Sequence, residues 1–248
     1  AALDILNERV EPQFQAPDDW VTLASRKRTV ARINGEHLNA LPSEKFLAVA
    51  QHSGTTAGVS FSGDDELHYA VGARIMTVTN DPAGRFVNGS FGIITDASAD
   101  KITVRLDHSG ESVIIERYTW ELKKPSVSNG RIQSDAAGTI KQFPIILAWA
   151  ITIHKSQGKT IPKCFINLSG GTTTDGQFYV ALSRAVDLDN LRFSAPVEPR
   201  HIRANNTLVR MIRRAVSPKV ETDRVVFLSF DGVNFGISDH IARAHAII

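Results

Sequence analysis

The segment from Pro144 to Leu168, PIILAWAITIHKSQGKTIPKCFINL, constrains the fold more than any other stretch of the chain. Ile145 to Ile153 is an apolar run too short for an ordinary amphipathic helix, which predicts a buried strand or a buried entry from strand to helix. The run ends in a polar cluster of Thr152, His154, Lys155, Ser156 and Gln157. A second apolar run, Cys164 to Leu168, follows Gly158 and Pro162. A parallel α/β sheet presents its ligand contacts in this way, in polar segments at the ends of buried strands. Thr152, Ser156 and Gln157 can hydrogen-bond, His154 and Lys155 can carry positive charge, and Gly158 lets backbone approach a ligand closely. Phosphate and sugar suit that inventory better than an apolar ligand does. The plainer reading is a solvent-facing helix start after a core strand, and composition alone does not separate the two.

A second segment, DGQFYVALSR from Asp175 to Arg184, reads as a helix. Asp175 can cap it, and Phe178, Ala181, Leu182 and Ala185 share one face at helical spacing. Gln177 and Arg184 then project in similar directions, with Arg184 at the far end of a helix packed on the sheet. The helix dipole favours an arginine there whatever its function.

In this order and spacing the two segments resemble motifs V and VI of the superfamily 1B helicases, the RecD-like and Pif1-like group. The resemblance covers residues 20 to 200 and implies the second motor domain of an ATP-driven DNA helicase or translocase. It implies DNA backbone contacts for Thr152, His154 and Lys155, and puts Ser156, Gln157 and Gly158 between the DNA track and the ATP cleft. It makes Arg184 the arginine finger that stabilises charge on the γ-phosphate, with Gln177 and Tyr179 as further cleft candidates. His154 has no Cys or second His at ligand spacing, so no metal role is expected.

The rest of the chain is read around these motifs. Residues 1–19, broken by Pro12 and Pro17, read as a linker. Trp20 to Ala24 reads as a strand, followed by Ser25, Arg26, Lys27 and Arg28 and by a helix through Val30, Ile33, Leu38 and Leu41. This resembles the helicase motif IV region, which makes Arg26 and Arg28 ATP-cleft candidates; a basic surface turn is the equal alternative. Asn34 and Asn39 read as helix-surface or loop-capping residues. Phe46 to Gln51 has β character, and His52 to Asp65 reads as a loop.

Val71 to Trp120 is a β block, with strands at Ala73–Thr79, Phe91–Thr95, Ile102–Leu106 and Ser112–Glu116 and a strong turn pair at Asn88-Gly89. Its segment GARIMTVTNDPAGRFVNGSFGII resembles the SH3-like insertion of the same helicases. Arg74, Arg85, Phe86, Asn88 and Trp120 are candidate rim residues for single-stranded DNA, although Trp120 reads first as a core aromatic. Lys123 to Gly138 is a polar return to the parent sheet, Leu191 to Ser194 a last sheet strand, and Asn205 to Val216 a helix.

The expected fold class is α/β: a RecA-like, mostly parallel sheet over 20–66 and 124–217, interrupted by a small SH3-like β-barrel over 67–123. Residues 218–248 read as a truncated or degenerate extra segment, with a strand over Arg224–Ser229 and a periodic patch over Ile237–Ile248. This tail resembles the start of DnaQ-like exonucleases, but Ser229 and Asp231 stand where that fold carries its metal-binding Asp and Glu.

Composition narrows the function. A net charge of +2 gives no global argument for nucleic acid, so any such site is local. The single cysteine, Cys164, lies in an apolar run and reads as a buried thiol. It excludes an intramolecular disulfide and fits a cytoplasmic protein. No stretch is long enough to span a membrane. No GxxxxGK[ST] phosphate loop occurs, nor a strand ending in paired acidic residues. ATP and Mg2+ are therefore expected to require an N-terminal motor domain outside these residues. The chain is expected to be the C-terminal part of a larger enzyme and not an ATPase alone. Two other readings stand: a non-enzymatic single-stranded nucleic-acid binding module built on the barrel, and a structural α/β scaffold.

Overall fold

A computed structural model describes residues 2–56, 61–128, 131–205, 207, 209–211, 228–230 and 233–235. In chain order its elements are Ala2–Asn7 (α1), Val21–Ala24 (β1), Lys27–Ala40 (α2), Lys45–Val49 (β2), Gln51–Gly54 (β3), Glu66–Ala70 (β4), Arg74–Thr77 (β5), Phe91–Ala97 (β6), Lys101–Leu106 (β7), Ser112–Glu116 (β8), Tyr118–Ser128 (β9), Arg131–Gln142 (β10), Ile145–Leu147 (β11), Ala150–Thr152 (β12), Cys164–Asn167 (β13), Gln177–Leu182 (α3), Leu191–Phe193 (β14), Leu228–Phe230 (β15) and Val233–Phe235 (β16).

Strands β12, β1, β13 and β14 form a parallel sheet in that order. The strands from β2 to β11 all pair antiparallel. β11, β5, β6, β7 and β8 make one sheet, β3, β10 and β9 a second, and β2 with β4 a third. β6 to β8 alternate between covered and solvated positions, as strands with one wet face do.

The apolar run Ile145–Ile153 is two strands, not one. β11 pairs antiparallel with β5, and β12 pairs parallel with β1. Ile145, Leu147 and Trp149 enter the core under the antiparallel sheet, whereas Ile146, Ala148, Ile151 and Ile153 enter the core of the parallel sheet. The run is apolar throughout because a core receives each face. The side-chain alternation slips by one residue between Trp149 and Ile151. Asn34 of α2 secures this slip. Its Oδ1 accepts from Ala150 N (2.8 Å), and its Nδ2 donates to Ala150 O (2.9 Å) and Leu147 O (3.3 Å). Asn34 is therefore a buried clamp rather than a surface or capping residue, while Asn39 is exposed.

Three further expectations change. Residues 123–138 are mostly ladder, because β9 and β10 form a long hairpin held by backbone pairing. Gln51–Gly54, read partly as loop, joins that hairpin at its edge. A Cβ on Gly54 would lie 2.8 Å from Ala137 O, so the close approach of β3 and β10 requires glycine. The segment read as a linker is packed: Leu3, Leu6 and Val10 touch the core of the parallel sheet, and Val10 bridges Phe193 at its edge. In the region read as a helix over Asn205–Val216, residues 207 and 209–211 are helical, and most of the remainder lies outside the described residues. Leu228 and Ser229 of the predicted Arg224–Ser229 strand lie in β15, which pairs with β16. The rest of that strand, Asp231 and Ile237–Ile248 lie outside the described residues.

Candidate nucleotide and nucleic-acid site

The parallel register sets Ala24 opposite both Thr152 and Asn167, so the segments after β1, β12 and β13 emerge at one edge. Arg26 leaves β1 in extended backbone (φ −116°, ψ 132°), and its exposed side chain crosses Gly170 in the loop after β13. Arg28 is exposed in the first turn of α2. Thr152 Oγ1 accepts from Lys155 N (3.2 Å) and so shapes the turn that presents His154, which is exposed. Lys155 Nζ donates to Ser62 O (3.3 Å). Burial pulls the Lys155 pKa down, Asp64 raises it and Lys27 lowers it; burial pushes the Asp64 carboxyl up. Lys27 and Asp64 therefore belong to this edge. The basic run around Lys27 hinted at one of them, but nothing in the Gly/Ser/Thr-rich stretch marked the other. Ser156 is fully buried and its hydroxyl donates to Ile153 O (2.7 Å). This corrects its expected place among the ligand-facing residues: it closes the turn.

The loop after β12 then crosses to the opposite edge, where β13 begins. Gln157 and Gly158 are exposed on the way, Gly158 with φ 75°. Ile161 bridges Ala185, and Ile161 N donates to Arg184 O (2.9 Å). The Arg184 guanidinium lies against the loop, with Nη1 donating to Lys159 O (3.0 Å), Nε to Val180 O (3.0 Å) and Nη2 to Ser183 Oγ (2.9 Å). All three acceptors are neutral. The two motif-like segments are thus in direct contact, at Lys159 rather than at Lys155.

Helix α3 is shorter than expected and stops before Arg184, so Arg184 does not share a helical face with Gln177. Gln177 is buried, its Oε1 accepting from Thr173 N (2.8 Å), which removes it from an open cleft. Asp175 pairs with Arg203 (3.6 Å) instead of capping, and the helix starts from left-handed Gly176. Tyr179 points outward and is 64% exposed. Gly158-Lys159-Thr160 matches the end of a phosphate loop. However, buried Ile153 occupies the first glycine position, and the segment leads into a strand rather than a helix.

The rim expectations divide. Arg74 is buried, donates to Asp107 (2.8 Å) and lies over the Phe91 ring, so it is not a rim residue; a strand position facing the inter-sheet junction covers it. Phe86 is likewise in the core, and Trp120 is half-buried against Phe61 and Tyr118. Arg85 is half-exposed but forked onto Asp81 (2.7 and 2.9 Å), and this holds the Asp81 carboxyl below its ordinary value. Asn88 is exposed and accepts from Lys159 Nζ. Arg74, Asn88, Gly158 and Lys159 meet at a cleft of about 440 Å³ between the two main sheets. Arg26, Thr152, His154 and Lys155 occupy the opposite edge.

Cys164 is a buried thiol, its pKa pushed up to about 12 by burial. Among the described residues no group of three or more His, Cys, Asp and Glu could hold a metal ion. No described helix is long and apolar enough to cross a membrane.

No protein-family profile matches the sequence. The ATP-dependent DNA helicase Pif1 of Bdellovibrio bacteriovorus is 32% identical over 186 residues, covering 73% of this chain and 40% of that protein. Unliganded Pif1 from Bacteroides sp. superposes with a TM-score of 0.75 at 33% identity, covering 88% of this chain and 50% of that one. The Bacteroides enzyme in complex with ADP-AlF3 and ssDNA superposes at 0.69, also at 33% identity and with the same coverage. Fold and sequence together make the chain a homologue of part of these proteins. More narrowly, it is a homologue of the Pif1-like superfamily 1B helicases. It spans two-fifths to half the length of these relatives.

Proposed function

We propose that this chain is the C-terminal motor portion of an ATP-dependent DNA helicase moving 5′ to 3′, and that an N-terminal motor domain of the same parent protein completes it. In this reading residues 20–66 and 124–217 form the second motor domain, and 67–123 form an SH3-like insertion. Arg184 is the arginine finger. Its guanidinium rests on neutral acceptors, and among the described residues no carboxylate pairs with it, which leaves its charge available to a phosphate. Thr152, His154 and Lys155 at the carboxyl edge contact the backbone of single-stranded DNA, Arg26 and Arg28 serve the ATP cleft, and Gln157 and Gly158 lie between the two functions. ATP supplies the phosphoryl chemistry. The phosphate loop and the Mg2+ ligands belong to the N-terminal domain, so this chain alone turns over no ATP.

The contact of Arg184 with the loop after β12, in a fold matching half of Pif1, carries this reading. In the longer enzyme, Arg184→Ala lowers ATP turnover by about 10³-fold or more while single-stranded DNA affinity stays within about twofold. Undiminished turnover in that variant ends the assignment.

A further inference from the structure

Lys159 joins two parts of the molecule that no motif connects. Its main-chain oxygen receives Arg184 Nη1 (3.0 Å). Its side chain reaches the other way, and Nζ donates to Asn88 Oδ1 (3.2 Å) and Asn88 O (3.4 Å). The stem crosses the face of Gly89, whose φ is 96°; a Cβ there would lie 2.8 Å from Lys159 Cδ. The receiving turn is itself anchored. Asn88 N donates to Asn80 Oδ1 (2.8 Å), Gly89 N to Thr77 O (2.8 Å), and Thr77 Oγ1 to Val87 O (2.6 Å). Thr77 is a fully buried residue of β5. One residue therefore touches the arginine with its backbone and the antiparallel sheet with its side chain.

The Lys159 ammonium is half-buried on amide oxygens, and burial pulls its pKa down, with no opposite charge among the described residues to offset it. A desolvated cation without a counter-ion is a poor device for stability. It is a good one for holding a position.

We infer that Lys159 is a positioning residue that ties the placement of Arg184 to the 87–90 turn of the antiparallel sheet. A shift of that turn moves the Lys159 peptide and with it the acceptor on which the guanidinium rests. The effect on turnover rests on the arginine-finger reading; the mechanical link rests on the contacts alone.

Two measurements separate these parts. In the 248-residue chain, Lys159→Met keeps the apolar stem and removes the donor. Hydrogen exchange of the Arg184 Nε–H and of the Gly89 amide, followed by NMR, quickens by about fivefold or more. Lys159→Arg, which can still donate to Asn88, restores slow exchange. Asn88→Ala has the same effect, and combining it with Lys159→Met adds nothing further. In the longer enzyme, Lys159→Met lowers kcat for ATP by about tenfold with KM within about twofold. Unchanged Arg184 exchange at an unchanged melting temperature overturns the link. Quickened exchange with unchanged kcat, in an enzyme that Arg184→Ala inactivates, overturns its effect on catalysis. Full turnover in Arg184→Ala overturns the arginine finger instead and leaves the exchange result standing.

Discussion

The parallel and antiparallel sheets meet at Trp149 and treat charge in opposite ways. β1 is buried at all four of its positions and β13 at three of four, whereas β7 and β8 alternate between covered and solvated residues. A strand covered on both faces has no place for a charged side chain, so in the parallel sheet only the edge strand β14 carries one, Arg192 on Glu11, and β1 and β12 leave theirs beyond the strand ends. There Arg26, His154 and Lys155 stand together at one edge. In the antiparallel region the corresponding charges are paired, Arg74 of β5 with Asp107 just after β7 and Arg85 with Asp81 in the loop between β5 and β6. Concentrated charge at a strand end reads as function, and charge matched by a neighbouring carboxylate reads as structure.

The largest expected effect is on the join between the sheets. Asn34→Ala leaves Ala150 N–H and O and Leu147 O without their buried amide partner. We expect a loss of about 3 kcal/mol in urea unfolding. A loss below about 1 kcal/mol would assign the join to the Trp149 packing on His37 instead.

Cys164 tests the dryness of the parallel sheet. Its pKa is raised from 9.0 to about 12 by burial, so the native state holds the proton after the unfolded chain has released it. The associated stability is complete below pH 9.0 and is lost as pH rises towards about 12. At about pH 10.5 roughly 2 kcal/mol of it is gone. Comparing the unfolding free energies of the wild type and Cys164→Ala near pH 8 and pH 10.5 isolates this share. A constant difference between them contradicts the buried thiol.

The same contrast explains what was legible in the sequence. Phe91–Thr95, Ile102–Leu106 and Ser112–Glu116 could be read because alternation with one wet face is a local signal, and β6, β7 and β8 follow it closely. The Ile145–Ile153 run carries no mark where its pairing partner changes, and the residue that stabilises the change, Asn34, lies far away in sequence. Arg184, Thr152, His154 and Lys155 stood out by motif. Arg74, Ser156 and Gln177 have the side chains of a site, but tertiary packing buries them. Lys159 was passed over because its partner is a turn in the other sheet.

At the open edge, Lys155→Ala measures how much of the expelled charge serves a ligand. Single-stranded DNA affinity at low salt falls by about fivefold, and the salt slope becomes shallower by about 0.7. A loss of affinity with an unchanged slope would mean that Lys155 acts through its bond to Ser62 O and not through phosphate.

The smallest effect belongs to the antiparallel side. Arg85 and Asp81 form a two-point fork, yet the arginine is half-exposed, and pairs of that kind contribute about 0.5 kcal/mol or less once salt screens them. Arg85→Ala also removes the guanidinium that depresses the Asp81 pKa, so the carboxylate titrates closer to its ordinary value. The Asp81 pKa followed by NMR therefore rises while unfolding free energy barely changes. Because the fork already satisfies the Arg85 charge, single-stranded DNA affinity also changes less than in Lys155→Ala. An equal or greater loss would mean that the fork opens to receive a phosphate, and the division between expelled and matched charge would then fail at this residue.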